Sequence, residues 1–204
     1  MFNELMLAIK RLARQCLRPF LRRKRFLMRD SDTGRSALIA LVGSLPSEKP
    51  LVMIEVGSYR GESAQIFLGT NRFSRIYCID PWKMYYDAND GAAFTDMAAV
   101  ERDFDQRVGV DERVVKVKGT IDTFLERYPD VAIDFAYVDG CHTYEAVKHD
   151  LSRILSTCPP SIAVGGHDYA DKLWEGVKQA IEECVGKPDK VFPDTSWIKY
   201  QQTR

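Results

Sequence analysis

Hydrophobic positions along the chain switch repeatedly between a strand-like and a helix-like spacing. Residues 51–56, LVMIEV, form a short apolar, β-branched run broken by one acid, Glu55. A run of that length without a polar face predicts a strand covered on both sides, as in a parallel sheet. Gly57 and Gly61 bracket a tight turn, and the spacing over 61–69 is helical. The same alternation continues downstream. RIYCID at 75–80 predicts a strand, then comes a long connection over 81–97 and a helix to about 108. RVVKVK at 113–118 predicts the next strand, followed by a helix over 121–128 that stops before Pro129. IDFAYVD, a helix over 143–157, SIAVGG and a helix over 172–184 follow in turn. KVFPDTSWIKYQQ closes the chain as two short strands around a turn at Pro193, Asp194 and Thr195.

Strands separated by helices imply an α/β fold, a doubly wound and mostly parallel seven-stranded sheet. The closing hairpin would place one antiparallel strand at its edge. Upstream, Asp30-Ser-Asp-Thr offers capping residues for a helix over 33–45 with Leu38, Ile39, Val42 and Leu45 inward. Pro46 to Pro50 links it to the first strand. The division expected is a helical N-terminal extension over 1–49 and one domain over 50–204, since a chain of 204 residues with 45% hydrophobic content buries one sizeable core.

Charge adds a second feature. Residues 1–30 hold nine Lys/Arg against Glu4 and Asp30, so a balance of +7 there is offset by −7 over the rest. Phe2, Leu5, Met6, Ile9, Leu12, Ala13 and Cys16 share one helical stripe, and Pro19 should end that helix. Such a basic amphipathic arm can lie on an anionic membrane surface or on nucleic acid, or pack on its own domain or a second subunit. Five cysteines without a CxxC spacing point to a reducing, cytoplasmic compartment, with neither a disulfide framework nor a zinc site. No apolar stretch approaches the ~20 residues of a membrane span.

In doubly wound sheets, ligands sit at the carboxyl ends of the strands. The first strand delivers Glu55, Gly57, Ser58, Tyr59 and Gly61 there, and the second delivers Asp80, an acid suited to the two hydroxyls of a ribose. The third gives Gly119-Thr120, the fourth Asp139-Gly140 and then His142, and the fifth His167 and Asp168. Trp82 either flanks a base by stacking or packs in the core. Thr120 and Asp122 either contact an adenine or start a helix. Tyr85, Tyr86 and Phe94 either line an acceptor pocket or cover the surface.

The turn is a poor dinucleotide fingerprint, because Tyr59 stands where a GxGxxG needs glycine. E-x-G-x-x-x-G followed by an acid ending the next strand instead resembles the cofactor site of class I S-adenosylmethionine (SAM)-dependent methyltransferases. YVDGCHTYEAVKHDL and GGHDY resemble more specifically a family of small methyltransferases (methyltransferase family 24-like) whose members include sugar and macrolide O-methyltransferases. The resemblance covers about residues 50–186 and implies SAM as cofactor, with a divalent cation in some relatives.

Methyl transfer to an alcohol needs the oxygen positioned and its proton removed. Asp139 and Asp168, ending adjacent strands, suit a shared cation such as Mg²⁺, with His167 as a third ligand or a support for the others. His142 is the candidate general base, where catechol-type enzymes of this fold carry lysine. Each residue has a plainer reading: Asp139 as a turn aspartate, Asp168 as a helix cap, His167 as a structural hydrogen-bonding residue, His142 as a helix-start residue. The reading is therefore an O-methyltransferase acting on a small-molecule or glycan-like acceptor. Rivals are a nucleic-acid or lipid-linked acceptor reached through the basic arm, and a metal-dependent oxidising or non-catalytic relative. Against a nucleic-acid acceptor, no Asn/Asp-Pro-Pro-aromatic follows the fourth strand.

Overall fold

A computed structural model of the chain describes residues 32–84, 90, 95–157 and 163–201. The basic arm over 1–30 and the residues Tyr85, Tyr86 and Phe94 lie outside the described residues. The elements run α1 (Asp32–Gly43), β1 (Leu51–Val56), α2 (Glu62–Gly69), β2 (Phe73–Asp80), α3 (Met97–Arg107), β3 (Val114–Lys118) and α4 (Ile121–Arg127). They continue with β4 (Phe135–Val138), α5 (Tyr144–Thr157), β5 (Ala163–Gly166), α6 (Glu175–Val185), β6 (Lys190–Val191) and β7 (Trp197–Tyr200).

The sheet has seven strands in the order β3-β2-β1-β4-β5-β7-β6. The first five pair in parallel, and β7 runs antiparallel to both β5 and β6. The antiparallel strand is therefore one place inside the edge, and the two-residue β6 takes the edge itself. With Trp197 and Ile198 buried, β7 is safer paired on both sides than left open. Connections reverse direction between β1 and β4, which opens the crevice where such sheets bind ligands.

Side chains of each strand alternate between two packed layers. Met53, Ile76, Cys78, Phe135 and Tyr137 face one layer with Leu38, Leu41, Phe67 and Phe104 from α1, α2 and α3. Ile54, Val56, Tyr77 and Ile79 face the other with Phe124, Leu151, Ile154, Val177 and Ile181 from α4, α5 and α6. Helix α1 shares the first cluster through Ala37, Leu38, Leu41 and Val42. Among the described residues, no helix is long and apolar enough to cross a membrane.

Candidate active site

The turn after β1 is held from below and from the side. Glu55 is fully buried, and its carboxylate accepts hydrogen bonds from Ser58 Oγ at 2.6 Å and Ser63 Oγ at 2.5 Å. Gly57 has a φ of +90°, and a Cβ built on it would lie 2.1 Å from the Asp139 carbonyl oxygen. Only glycine lets the turn approach the end of β4 so closely. The backbone N–H groups of Tyr59 and Trp82 donate to the two Asp80 carboxylate oxygens at 2.9 and 2.7 Å. Both donors sit at positive φ, 46° and 42°, so Asp80 stabilises two unfavourable backbone conformations at once. Burial raises the Asp80 carboxyl above its usual range, and the two N–H donors offset part of that shift.

Several residues assigned to the cofactor from the sequence have other partners here. Trp82 is 5% exposed, packs against Phe104 at 4.9 Å between ring centroids, and donates Nε1–H to the Tyr59 carbonyl at 2.8 Å. Its ring is thus a buried brace under the turn, the core-packing alternative. Glu55 likewise faces Ser58 and Ser63 inside the turn. Thr120 is exposed and forms a capping box with Thr123 at the start of α4. Asp122 pairs with His149 at 2.7 Å and Arg153 at 2.6 Å, turned toward α5.

A second cluster forms where β4 and β5 end. His142, three residues past Asp139, is nearly buried, with Nε2 2.8 Å from Asp168 Oδ2 and 3.7 Å from Asp139 Oδ1. The Nε2–Asp168 approach lacks the alignment of a hydrogen bond. On the other side of the ring, Nδ1 lies 3.0 Å from Asp90 Oδ2. Trp174 stacks on the imidazole at 4.6 Å with 24° between planes. His167 Nδ1 lies 2.9 Å from Asp168 Oδ1.

Burial disfavours charge on the His142 imidazole, and the surrounding carboxyl groups of Asp139, Asp168 and Asp90 outweigh it and raise its pKa well above the usual histidine range. Burial works equally against ionising Asp168, and the His142 and His167 imidazoles overcome it, holding that carboxyl below the usual range. Asp139, His142 and Asp168 each offer a ligand atom within 4.8 Å of the others. The trio that converges thus contains His142, whereas the sequence reading had placed His167 beside the two acids.

Asp90 and Trp174 were missed from the sequence. Asp90 stands in a polar, aromatic connection with no periodic pattern, and Trp174 reads as one more apolar residue opening a helix. Neither carries a local signal, since both reach His142 only through the fold.

Residues 54–169 match a protein family described as a methyltransferase domain. No match is found among curated proteins. The solved calicheamicin methyltransferase CalS11 is similar with a TM-score of 0.63 at 19% identity, over 84% of this chain and 81% of that one. The methyltransferase PaMTH1 of Podospora anserina, solved with S-adenosylhomocysteine (SAH), gives 0.54 at 17% identity, over 82% of this chain and 78% of that one. The O-methyltransferase TomG of Streptomyces achromogenes, from tomaymycin synthesis and solved with SAM, gives 0.53 at 15% identity, over 80% and 76%. At these identities the likeness is one of fold.

Proposed function

Since the chain belongs to this methyltransferase family, we propose that it transfers the methyl group of SAM to an oxygen of a small-molecule or sugar-like acceptor. The observation that carries this reading is the common rim: the Gly57 turn and Asp80 end β1 and β2, and the acid–histidine cluster ends β4 and β5 beside them. Similar structures include enzymes solved with SAM or SAH, which supports SAM as cofactor.

The residues at the rim fit such a nucleoside. Asp80 uses one lone pair on each oxygen for the turn, and a carboxylate has about four acceptor sites, so acceptor capacity remains for ribose hydroxyls. Gly57, Ser58, Tyr59 and Gly61 bring main chain up to the crevice. Glu55 and Trp82 act from below, fixing the turn that does the binding. Thr120 and Asp139 flank the same crevice from the ends of β3 and β4. When bound, SAM supplies a methyl group on a sulfonium, open to in-line displacement.

Asp139 and Asp168 would hold a divalent cation such as Mg²⁺, with His167, whose Nδ1 lies beside Asp168, as the histidine. A mixed oxygen and nitrogen donor set also accommodates Mn²⁺. Such a cation would supply Lewis acidity toward the acceptor hydroxyl. Once neutral, His142 accepts the hydroxyl proton at Nε2 as the oxygen attacks the methyl carbon and the carbon–sulfur bond breaks, so transfer speeds up as pH rises and the ring loses the proton that its acidic neighbours favour. Asp139 and His167 keep that edge of the site polar and oriented.

The reading is tested by methyl transfer from labelled SAM to a panel of hydroxylated acceptors, with Mg²⁺ and with chelator. His142→Ala should lower the rate by about 10²–10⁴-fold, the usual weight of a general base, with SAH affinity retained. Undiminished transfer by that variant would remove His142 from the chemistry.

A further inference from the structure

The geometry points to Asp90 as the positioning residue of His142, a role that rests on the general-base reading above. Asp90 is 1% exposed, although it lies in the connection between β2 and α3 rather than in a helix or strand. Its Oδ2 is 3.0 Å from His142 Nδ1, and the opposite ring nitrogen is the one beside Asp139 and Asp168. Burying a carboxylate next to an imidazole contributes little to stability, because desolvation offsets the attraction. The arrangement instead solves a problem of orientation. An imidazole can present either nitrogen to a substrate, and which one depends on what the other holds.

Two contacts at right angles hold the ring here. Asp90 accepts Nδ1–H in the ring plane, and Trp174 stacks on the ring face at 4.6 Å and prevents it from tilting. Nε2 is then the nitrogen left facing the site. The connection over 81–96 therefore contributes to the chemistry through Asp90, and its sequence cannot vary freely at that position.

The test is direct observation of the Nδ1 proton by histidine-selective ¹⁵N labelling of the full chain, with and without SAH. The chain has three histidines, so His142→Gln identifies the resonance by its loss. The expected result is a low-field proton on Nδ1, shielded from water exchange in the wild type. Asp90→Asn should move it upfield, Asp90→Ala should open it to exchange, and Asp90→Glu should restore it in part. SAH affinity should be the same in all of them. A wild-type Nδ1 without an exchange-protected proton, or an unchanged resonance in Asp90→Asn, would overturn the proposal. Because the resonance is also read without SAH, failure of SAH to bind would count against the methyltransferase reading alone.

Discussion

Gly57 carries the tightest constraint at the scale of single residues. Its φ of +90° and the 2.1 Å separation between an added Cβ and the Asp139 carbonyl leave no rotamer that relieves the contact. Gly57→Ala should therefore cost more than about 2 kcal/mol, combining left-handed strain with a backbone clash. It should also weaken SAH binding, because the turn must move away from β4. Thermal unfolding and calorimetry on the variant check both; a variant as stable as wild type with intact binding would mean that the turn is not held against β4. Glu55 acts on the same turn from the opposite side, through Ser58 and Ser63. Its acid was legible in the sequence, but its direction was not. A strand residue points to one face or the other, and only the register of β1 with β2 and β4 turns Glu55 inward.

At the scale of elements, helix α5 joins the site to the second core layer. Val147, Leu151 and Ile154 bury one face, while Asp150 on its flank approaches Gly140, with Oδ2 3.8 Å from where a Cβ would stand. Burial raises the Asp150 carboxyl from 3.8 to about 7; the nearby His149 lowers it and Asp122 raises it further. Below about pH 4 that carboxyl is protonated whether the chain is folded or unfolded, and it costs nothing. Between about pH 4 and 7 the unfolded chain ionises there while the folded protein does not, so stability falls as pH rises. Above about pH 7 the full penalty applies. Asp150→Asn should remove this slope and raise stability at pH 8 by about 1–3 kcal/mol, after allowance for partial exposure. Denaturant unfolding at pH 5 and pH 8 measures it, and an equal effect of the substitution at both values would contradict the assignment. The elements themselves were largely legible: the apolar run of β1, the 3.6-residue spacing of α5 and the Pro193–Thr195 turn all appear where the pattern put them. The hairpin's place was not, since the pattern cannot say that β7 inserts between β5 and β6.

At the scale of the whole molecule, one rim of the sheet gathers the chemistry because every parallel strand delivers its last residue to the same edge. That rule placed Asp80, Asp139, His142, His167 and Asp168 together from spacing alone. It could not give the finer arrangement, in which His142 rather than His167 closes the trio with the two acids. Nor could it reveal Asp90, which comes from a connection with no periodicity and meets His142 across 52 residues of sequence. For Trp82 the sequence leaves two readings open, stacking on a base and packing in the core. In the structure its ring is buried and packs on Phe104.

If this rim binds the SAM nucleoside through Asp80, SAH must lose affinity when that carboxylate is removed. Calorimetric titration of SAH into the wild-type chain and into Asp80→Ala, each with and without Mg²⁺, tests it most directly. The expected result is saturable binding by the wild type that the substitution weakens by about 1.5–3 kcal/mol, the usual loss of hydrogen bonds to a charged group. Absence of binding by the wild type, or equal affinity in the two proteins, would contradict it.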